Sequence, residues 1–418
     1  MTRSRWGLLD QSRIRLLPGR RPALTRPMRY DALVIGAGLP GLLAAWKLAD
    51  GGFRVAVLER GTIASESSAL AAGHVPQEST SPANLAVLLR TRAIIDELDR
   101  VTGGLVRFHV VGGLQMATGE AGARALRARV ELAARLGVAG EYLEPDLIAL
   151  RWPNLRTDDL AGGYYTGTDG FVFSQTLSVV LASMARNAGA EIWEGCAVDR
   201  LTVGGGHVSG VVASGHHVDA PRVLVAAGAW SAPLLARSGI FLPTKSFVLS
   251  ALIVVGDHGG LGFMSEFEAG HYVMPRSPAT LLLGLPPSDV GVDVDRFSRH
   301  PDPATATEWL GRLQRRVPAL REARVAGGWA GVLASTPDAW PLVGRFGPEG
   351  LFVATGLGGG GVQRLATAEA VAQLMLEQEP FYDIHAQEAH RFDSYDGTPF
   401  EFREGPFYYT ESTPAQLW

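Results

Sequence analysis

Tyr30-Asp31-Ala32-Leu33-Val34-Ile35-Gly36-Ala37-Gly38-Leu39-Pro40-Gly41 is the stretch that decides the fold. Its first half is an apolar run with β-branched residues, which reads as a buried strand. Its second half is GxGxxG, and Leu42 to Ala49 continues as a helix former. Gly51-Gly52 ends that helix, and Arg54-Val55-Ala56-Val57-Leu58 is a second strand running into Glu59, 18 residues beyond Gly41. A bare GxGxxG is weak evidence. Strand, motif, helix, strand and acid in that order make the βαβ unit that binds a dinucleotide. Gly36 permits the tight turn, Gly38 lets backbone N–H groups approach a pyrophosphate, and Gly41 lets the helix pack against the strand. The helix dipole then favours the phosphate charge. Glu59 is placed for ribose hydroxyls, and its charge disfavours a 2′-phosphate.

The next stretch discriminates among dinucleotides. Residues 61–76 are rich in small side chains and hydroxyls, which let a large flat ligand lie against the backbone. A nicotinamide-binding domain would continue here with another βα unit, whereas a flavoprotein inserts such a segment beneath its cofactor. Further along, strands are expected at 112–117, 191–193, 197–204, 207–213, 222–226, 247–255, 271–275, 280–285 and 351–355. Helices are expected at 119–136, 175–188, 303–316 and from about Val362 to Leu376. The glycine run Gly356-Leu357-Gly358-Gly359-Gly360-Gly361 lies between the last strand and the last helix.

Composition excludes several classes. The chain has 418 residues, 46% hydrophobic and 19% charged, which fits two to three globular domains and no disordered polymer. The 51 glycines follow no Gly-X-Y period, so they mark turns and close approaches. A single cysteine, Cys196, excludes a disulfide framework or a CxxC site. No apolar run reaches the ~18 residues of a membrane helix, and the N-terminus lacks a secretory apolar segment; a cytoplasmic location is expected. The net charge of −4 conceals a strong asymmetry. Residues 1–30 hold eight arginines against Asp10, and residues 377–418 hold nine acids against Arg391 and Arg403. A near-neutral body between such ends does not suit a nucleic-acid binder. The basic arm, 1–29, and the acidic tail, 377–418, whose aromatic residues include Tyr382 and Phe392, are expected to dock on a surface of this chain or of a protein partner.

Four blocks in order resemble the D-amino acid oxidase superfamily, which includes glycine oxidase, sarcosine oxidase and dimethylglycine dehydrogenase. They are the βαβ unit to Glu59, the Ser-rich stretch to Ala72-Gly73, Ala226-Ala227-Gly228-Ala229-Trp230-Ser231, and a C-terminal block. That block reads Gly328-Trp329-Ala330-Gly331, Thr336-Pro337-Asp338, Pro341-Leu342-Val343-Gly344 and the glycine run. The resemblance covers about Tyr30 to Leu376. It implies an α/β (α+β) fold, with a Rossmann-like FAD-binding domain interleaved with a substrate domain on a large, mostly antiparallel sheet. The implied FAD parts are 30–90, 161–235 and 323–376, and the substrate parts 91–160 and 236–322. The implied FAD contacts are Gly36, Gly38, Leu39, Pro40, Gly41, Glu59, Arg60, Ser67, Ser68, Ala72, Gly73, His74, Val198, Gly228, Trp230 and Gly331. The loop residues Gly356, Gly358, Gly359, Gly360 and Gly361 with Val362 complete that set.

Departures from the family pattern sharpen the reading. The positions of the family's flavin-tethering cysteine and histidine hold Gly331 and Leu70, so FAD is expected to be non-covalent. Leu333 stands where glycine oxidase-like members place an arginine for the substrate carboxylate, and the strand Leu281-Leu282-Leu283-Gly284 lacks the lysine that aids oxygen. The implied chemistry removes a hydride from a C–N bond of an amine or amino acid to flavin N5, giving an imine. No metal cluster and no Ser-His-Asp set is required. Backbone N–H groups of the glycine loop, Gly360 included, are expected to stabilise the developing negative charge at a helix start. Tyr272, in a strand ending Pro275-Arg276, is expected to bond a polar substrate group and Arg276 to pair with a carboxylate. Trp329 and Trp340 are expected to line an aromatic pocket, and His74 to sit near the flavin ring. Two other readings stand beside amine oxidation: an FAD-dependent hydroxy-acid or alcohol dehydrogenase, and an FAD-binding subunit whose role is assembly.

Overall fold

A computed structural model describes residues 29–392 apart from Glu78 and Thr80. The expected basic arm, Arg29 aside, and residues 393–418 of the acidic tail lie outside the described residues. The opening motif folds as read, with strand β1 (Ala32–Ile35), helix α1 (Leu39–Asp50) and strand β2 (Val55–Leu58). Each of the eight strand residues is buried, as a strand covered on both faces requires.

β1 and β2 lie inside a six-stranded sheet. Its order is Leu342–Arg345, Leu351–Thr355, Val223–Val225, β1, β2, Glu191–Trp193, parallel except for the first pair. Helices α1, Ser174–Asn187 and Thr367–Met375 pack together on one face, where Leu42, Leu43, Leu48, Leu177, Leu181 and Val371 are almost fully excluded from water. The other face is covered by a three-stranded meander, Val198–Gly204, His207–Ala213 and His216–Asp219, whose Leu201, Val211 and Val218 join Leu33 and Val225 in a second core.

An eight-stranded sheet forms the second layer. Its order is Arg324–Ser335, Lys245–Val255, Thr280–Gly284, Tyr272–Ser277, Phe263–Glu266, Gly113–Ala117, Gly162–Thr166, Glu141–Leu143. Every neighbouring pair is antiparallel except Phe263–Glu266 with Gly113–Ala117. Gly162–Thr166 and Arg324–Ser335, expected within FAD-binding parts, pair in this sheet. The helix Pro303–Arg316 is tied to the sheet by Arg316, whose buried guanidinium spans Asp159 and Glu266 at 2.6 Å each. A small fourth sheet joins His74–Val75, Gly170–Phe171 and His109–Val110.

The described part of the tail packs on its own chain. Tyr382 is buried with its hydroxyl donating to Gln387 Oε1, and Arg391 binds Asp338 and the carbonyls of Trp340 and Pro341. Burial raises the Tyr382 hydroxyl pKa well above its usual range. Cys196 is buried in the second core. Among the described residues no helix is long and apolar enough to cross a membrane.

Candidate active site

A cavity of about 430 Å³ runs between the two large sheets. It begins at the carboxyl ends of β1, β2, Val223–Val225 and Leu351–Thr355, where parallel α/β sheets bind ligands. At this end the fit to a dinucleotide rests on backbone. Gly38 caps α1 without a side-chain hydrogen bond, and the first turn of α1 carries no acid. The α1 start at Gly38 therefore borders the cavity with no acid in its first turn to repel a phosphate, the Leu39 N–H being held by Ser68 Oγ and Pro40 having none. A Cβ at Gly41 would lie 2.0 Å from the Gly36 carbonyl oxygen, so only glycine lets the helix start this close to the turn. Both carboxylate oxygens of Glu59 are oriented by backbone amides, Oε2 accepting from Ala37 at 2.8 Å and Oε1 from Gly61 at 2.7 Å. Ser68 Oγ accepts from the Leu39 N–H at 3.0 Å.

Beyond Glu59, Arg60 lies over Trp230, its guanidinium carbon 4.0 Å from the ring centre. Asp295 holds the pair together by accepting from Arg60 and from Trp230 Nε1, both at 2.8 Å, and these two bonds lower its carboxyl pKa. This end thus has a glutamate and a stacked cation, suited to a ribose and an aromatic base.

The segment 61–76 runs along the cavity, as its small residues require. Three successive carbonyls of this segment are tied to distant side chains. Trp329 Nε1 donates to Leu70 at 3.0 Å, Ser174 Oγ to Ala71 at 3.0 Å and Arg276 Nη2 to Ala72 at 2.6 Å. Ser67 Oγ adds a fourth tie, donating to Val332 at 2.6 Å. Gly73, at φ +82°, has no room for a Cβ, which would lie 1.8 Å from the Val172 carbonyl oxygen.

Three residues expected at the substrate lie elsewhere, Trp329 and Arg276 because of these ties. Trp329, Trp340 and Arg276 do not line the cavity. Trp329 is spent on Leu70, and Trp340 is buried near the Arg364 guanidinium. Arg276 is turned behind Ala72 against Phe171 and Phe173, where burial pulls its pKa down and Nη1 has no hydrogen-bond partner. Gly331 is also outside the lining; a Cβ there would approach Leu70 at 3.1 Å.

The other end of the cavity is an aromatic stack. The rings of His74 and Phe263 are 3.7 Å apart and 7° from parallel, and Phe263 lies 5.8 Å from Tyr272 at 24°. Leu249 and Leu333 add apolar walls. Tyr272 lies over Gly284, where a Cβ would be 2.1 Å from its ring. Behind His74, Asp169 Oδ2 is 3.8 Å from Nε2. Sequence reading identified His74 and Tyr272 but missed Phe263, Asp169 and Gly284, since no local motif marks them.

The glycine loop differs from expectation. Gly358–Gly360 form a single 3₁₀ turn, and the helix proper starts only at Thr367. The Gly360 N–H is spent on the Leu357 carbonyl at 3.1 Å, and the first helical amides pair with local carbonyls and with Thr91 Oγ1. No helix start therefore points into the cavity from this loop. Gly356, Gly358, Gly361 and Val362 line it, as do Gly36, Gly38, Leu39, Pro40, Glu59, Arg60, Ser67, Ser68, Ala72, Gly73, His74, Val198, Gly228, Trp230 and Tyr272. Gly41 acts from behind the turn, and Gly359 lies within the 3₁₀ turn.

Comparison with known proteins agrees with this geometry. The FAD dependent oxidoreductase (DAO) family profile matches residues 31–374. Glycine oxidase of Geobacillus kaustophilus is 30% identical over 367 residues, covering 85% of this chain and 95% of that protein. Human mitochondrial sarcosine dehydrogenase is 26% identical, covering 88% of this chain and 42% of its own length. The crystal structure of the Geobacillus glycine oxidase superposes with a TM-score of 0.77 at 28% identity, covering 86% of this chain and 98% of that one. L-proline dehydrogenase from P. horikoshii shares the fold, with a TM-score of 0.80 at 22% identity, covering 88% of this chain and 99% of that one.

Proposed function

Because the chain belongs to the FAD dependent oxidoreductase family, whose members act on amino acids or amines, we propose that it oxidises a C–N bond of an amine or amino acid to the imine at the aromatic end of its cavity. The observation that carries this reading is one continuous cavity with a dinucleotide cradle at one end and the His74–Phe263–Tyr272 stack at the other.

When bound, FAD supplies the two-electron acceptor. Gly36, Gly38, Leu39 and Pro40 would hold its pyrophosphate, Glu59 its ribose, and Arg60 with Trp230 its adenine. The segment from Ser67 to His74, with Val198, Gly228, Gly356, Gly358, Gly361 and Val362, would bed the rest. Gly331 and Leu70 at the family's two tethering positions support non-covalent attachment. Domain boundaries belong to the same proposal: an FAD layer around the six-stranded sheet and a substrate layer around the eight-stranded one, with 162–166 and 324–335 moved to the latter.

Tyr272 would orient the substrate and the apolar walls would exclude water from it. Leu249, Phe263 and Leu333 form this end, whereas the lining arginines, Arg60 and Arg237, lie by Asp295 at the dinucleotide end, which favours an amine bearing an apolar substituent over one gripped by its carboxylate. The test is anaerobic bleaching of the bound flavin by a panel of amines, amino acids and hydroxy acids. Bleaching by amines is expected; bleaching by hydroxy acids alone overturns the reading. Recolouring in air then separates an oxidase from a dehydrogenase.

A further inference from the structure

The reacting end of the cavity contains one titratable pair. His74 lines it in the stack with Phe263; its Nε2 is buried on the Asp169 side without a hydrogen bond, so Nδ1 is the nitrogen left for the cavity. The nearest acid is Asp169, whose Oδ2 lies 3.8 Å from that nitrogen. Asp169 is 4% exposed and rigidly held. Its Oδ1 accepts from the Gln77 N–H at 2.9 Å, and its own carbonyl accepts from Val111 and Gly112 at 3.0 Å each. Its carboxylate also occupies space that only a glycine at 113 leaves open, since a Cβ there would meet Oδ2. A buried carboxylate facing an imidazole edge serves to stabilise the protonated ring. Other charged or titratable groups near His74 include Tyr272, across Phe263, Arg276, which holds Ala72 two residues away, and His109, beyond Phe171 in the same small sheet.

We propose that His74 is the base that removes the substrate's ammonium proton, with Asp169 as its positioning residue. An amine at neutral pH is a cation and cannot yield an electron pair to form C=N until it loses a proton. In the proposed step the N–H bond breaks, the proton joins His74 Nδ1 while Nε2 keeps its hydrogen toward Asp169, and the electron pair stays on the substrate nitrogen. The adjacent C–H bond then gives its pair to the acceptor supplied by the cofactor, and the nitrogen pair closes the double bond. The imidazolium left behind faces the Asp169 carboxylate. This role rests on the amine-oxidation reading above.

The test compares wild type with His74→Gln and Asp169→Asn, each first checked for bound flavin and a cooperative melt. The substrate is a primary alkylamine that bleaches wild type. Wild type takes the cation, so kcat/KM holds at neutral pH. His74→Gln must wait for the neutral amine. With an amine pKa like that of a lysine side chain, about 10.4, roughly one molecule in 10³ is neutral at pH 7.4. The variant is therefore expected to lose at least tenfold there, to recover as pH approaches the amine's own pKa, and to respond to added imidazole. Asp169→Asn is expected to shift the acid limb of the profile while retaining flavin. Nitrogen-15 histidine spectra give a readout apart from turnover. On binding tert-butylamine, which lacks a hydrogen on the carbon next to nitrogen, one imidazole missing in His74→Gln should pass from neutral to protonated. A pH profile unchanged in His74→Gln, or a His74 signal that stays neutral, overturns the proposal. If no amine bleaches wild type, the functional reading fails and the proposal with it.

Discussion

The seat of Tyr272 gives a sharp test of the aromatic end. Gly284 carries ordinary strand backbone, so nothing but space requires a glycine there. The Cβ of Gly284→Ala would lie 2.1 Å from Cε1 and Cζ of Tyr272. Carbons in contact sit at about 3.5 Å, so the ring must retreat by about 1.4 Å. Phe263 stacks against Tyr272, and His74 against Phe263, so the retreat is passed along the stack. Overpacking of this kind costs about 1–3 kcal/mol, and displacement of a positioning group by about 1 Å costs on the order of 10²-fold in rate. The dinucleotide cradle at the other end of the cavity is untouched. Gly284→Ala is therefore expected to purify with wild-type flavin content, to melt a few degrees lower, and to be bleached by amine about 10²-fold more slowly. In a Tyr272→Ala background the same methyl group has room, and its stability cost should fall below about 0.5 kcal/mol. Equal costs in both backgrounds, or a wild-type melt and rate for the single variant, would refute the argument.

Three further outcomes are expected. Glu59→Ala removes the acceptor from two backbone N–H groups, each costing about 1–3 kcal/mol if left buried and unpaired; flavin titration should show at least tenfold weaker FAD retention. Glu369 is buried between Arg90 and Lys47, and although burial pulls its carboxyl pKa up, the two cations outweigh this and leave it lowered. Its stabilisation is present above the ordinary carboxylate range near 4.3 and is lost as pH falls through the lower folded value. Glu369→Gln should accordingly cost about 3 kcal/mol in urea unfolding at pH 7 and much less at acid pH. Leu333→Arg puts a cation at the apolar end of the cavity; competition assays should show glycine and sarcosine gaining at least tenfold over carboxylate-free amines.

How much was legible in the sequence depended on how local the signal was. The βαβ unit, the helix at 303–316 and the strand Leu351–Thr355 were readable because period and punctuation agree over a few residues. The twenty-residue helix Pro82–Val101 was not, although Ser81 caps it and Pro82 opens it, because its apolar positions are diluted by polar ones. The strand Arg324–Ser335 hid in a Gly-Ala run with little β propensity, and is held instead by its ladder to Lys245–Val255. At the site, the cradle could be read from consecutive residues. The stack could not, because His74, Phe263 and Tyr272 meet only through the registers of two different sheets. Trp329 and Arg276 looked like ligand contacts because their residue types suit that task, and their actual partners are carbonyls some 200 residues or more away. The last helix began five residues later than expected, since a glycine run allows turns that delay it.

The tied carbonyls of residues 70–72 also bear on how the protein is made. Their donors sit at 174, 276 and 329, and the hydroxyl of Ser67 is bound at 332. A chain growing from the ribosome therefore completes its Rossmann motif long before the platform beside it can set. Only when residues near 330 have emerged does the early segment acquire all its anchors, so full-affinity cofactor capture is confined to the closing stage of synthesis. Nascent chains halted before Trp329 would lack the anchors of Leu70 and Ser67.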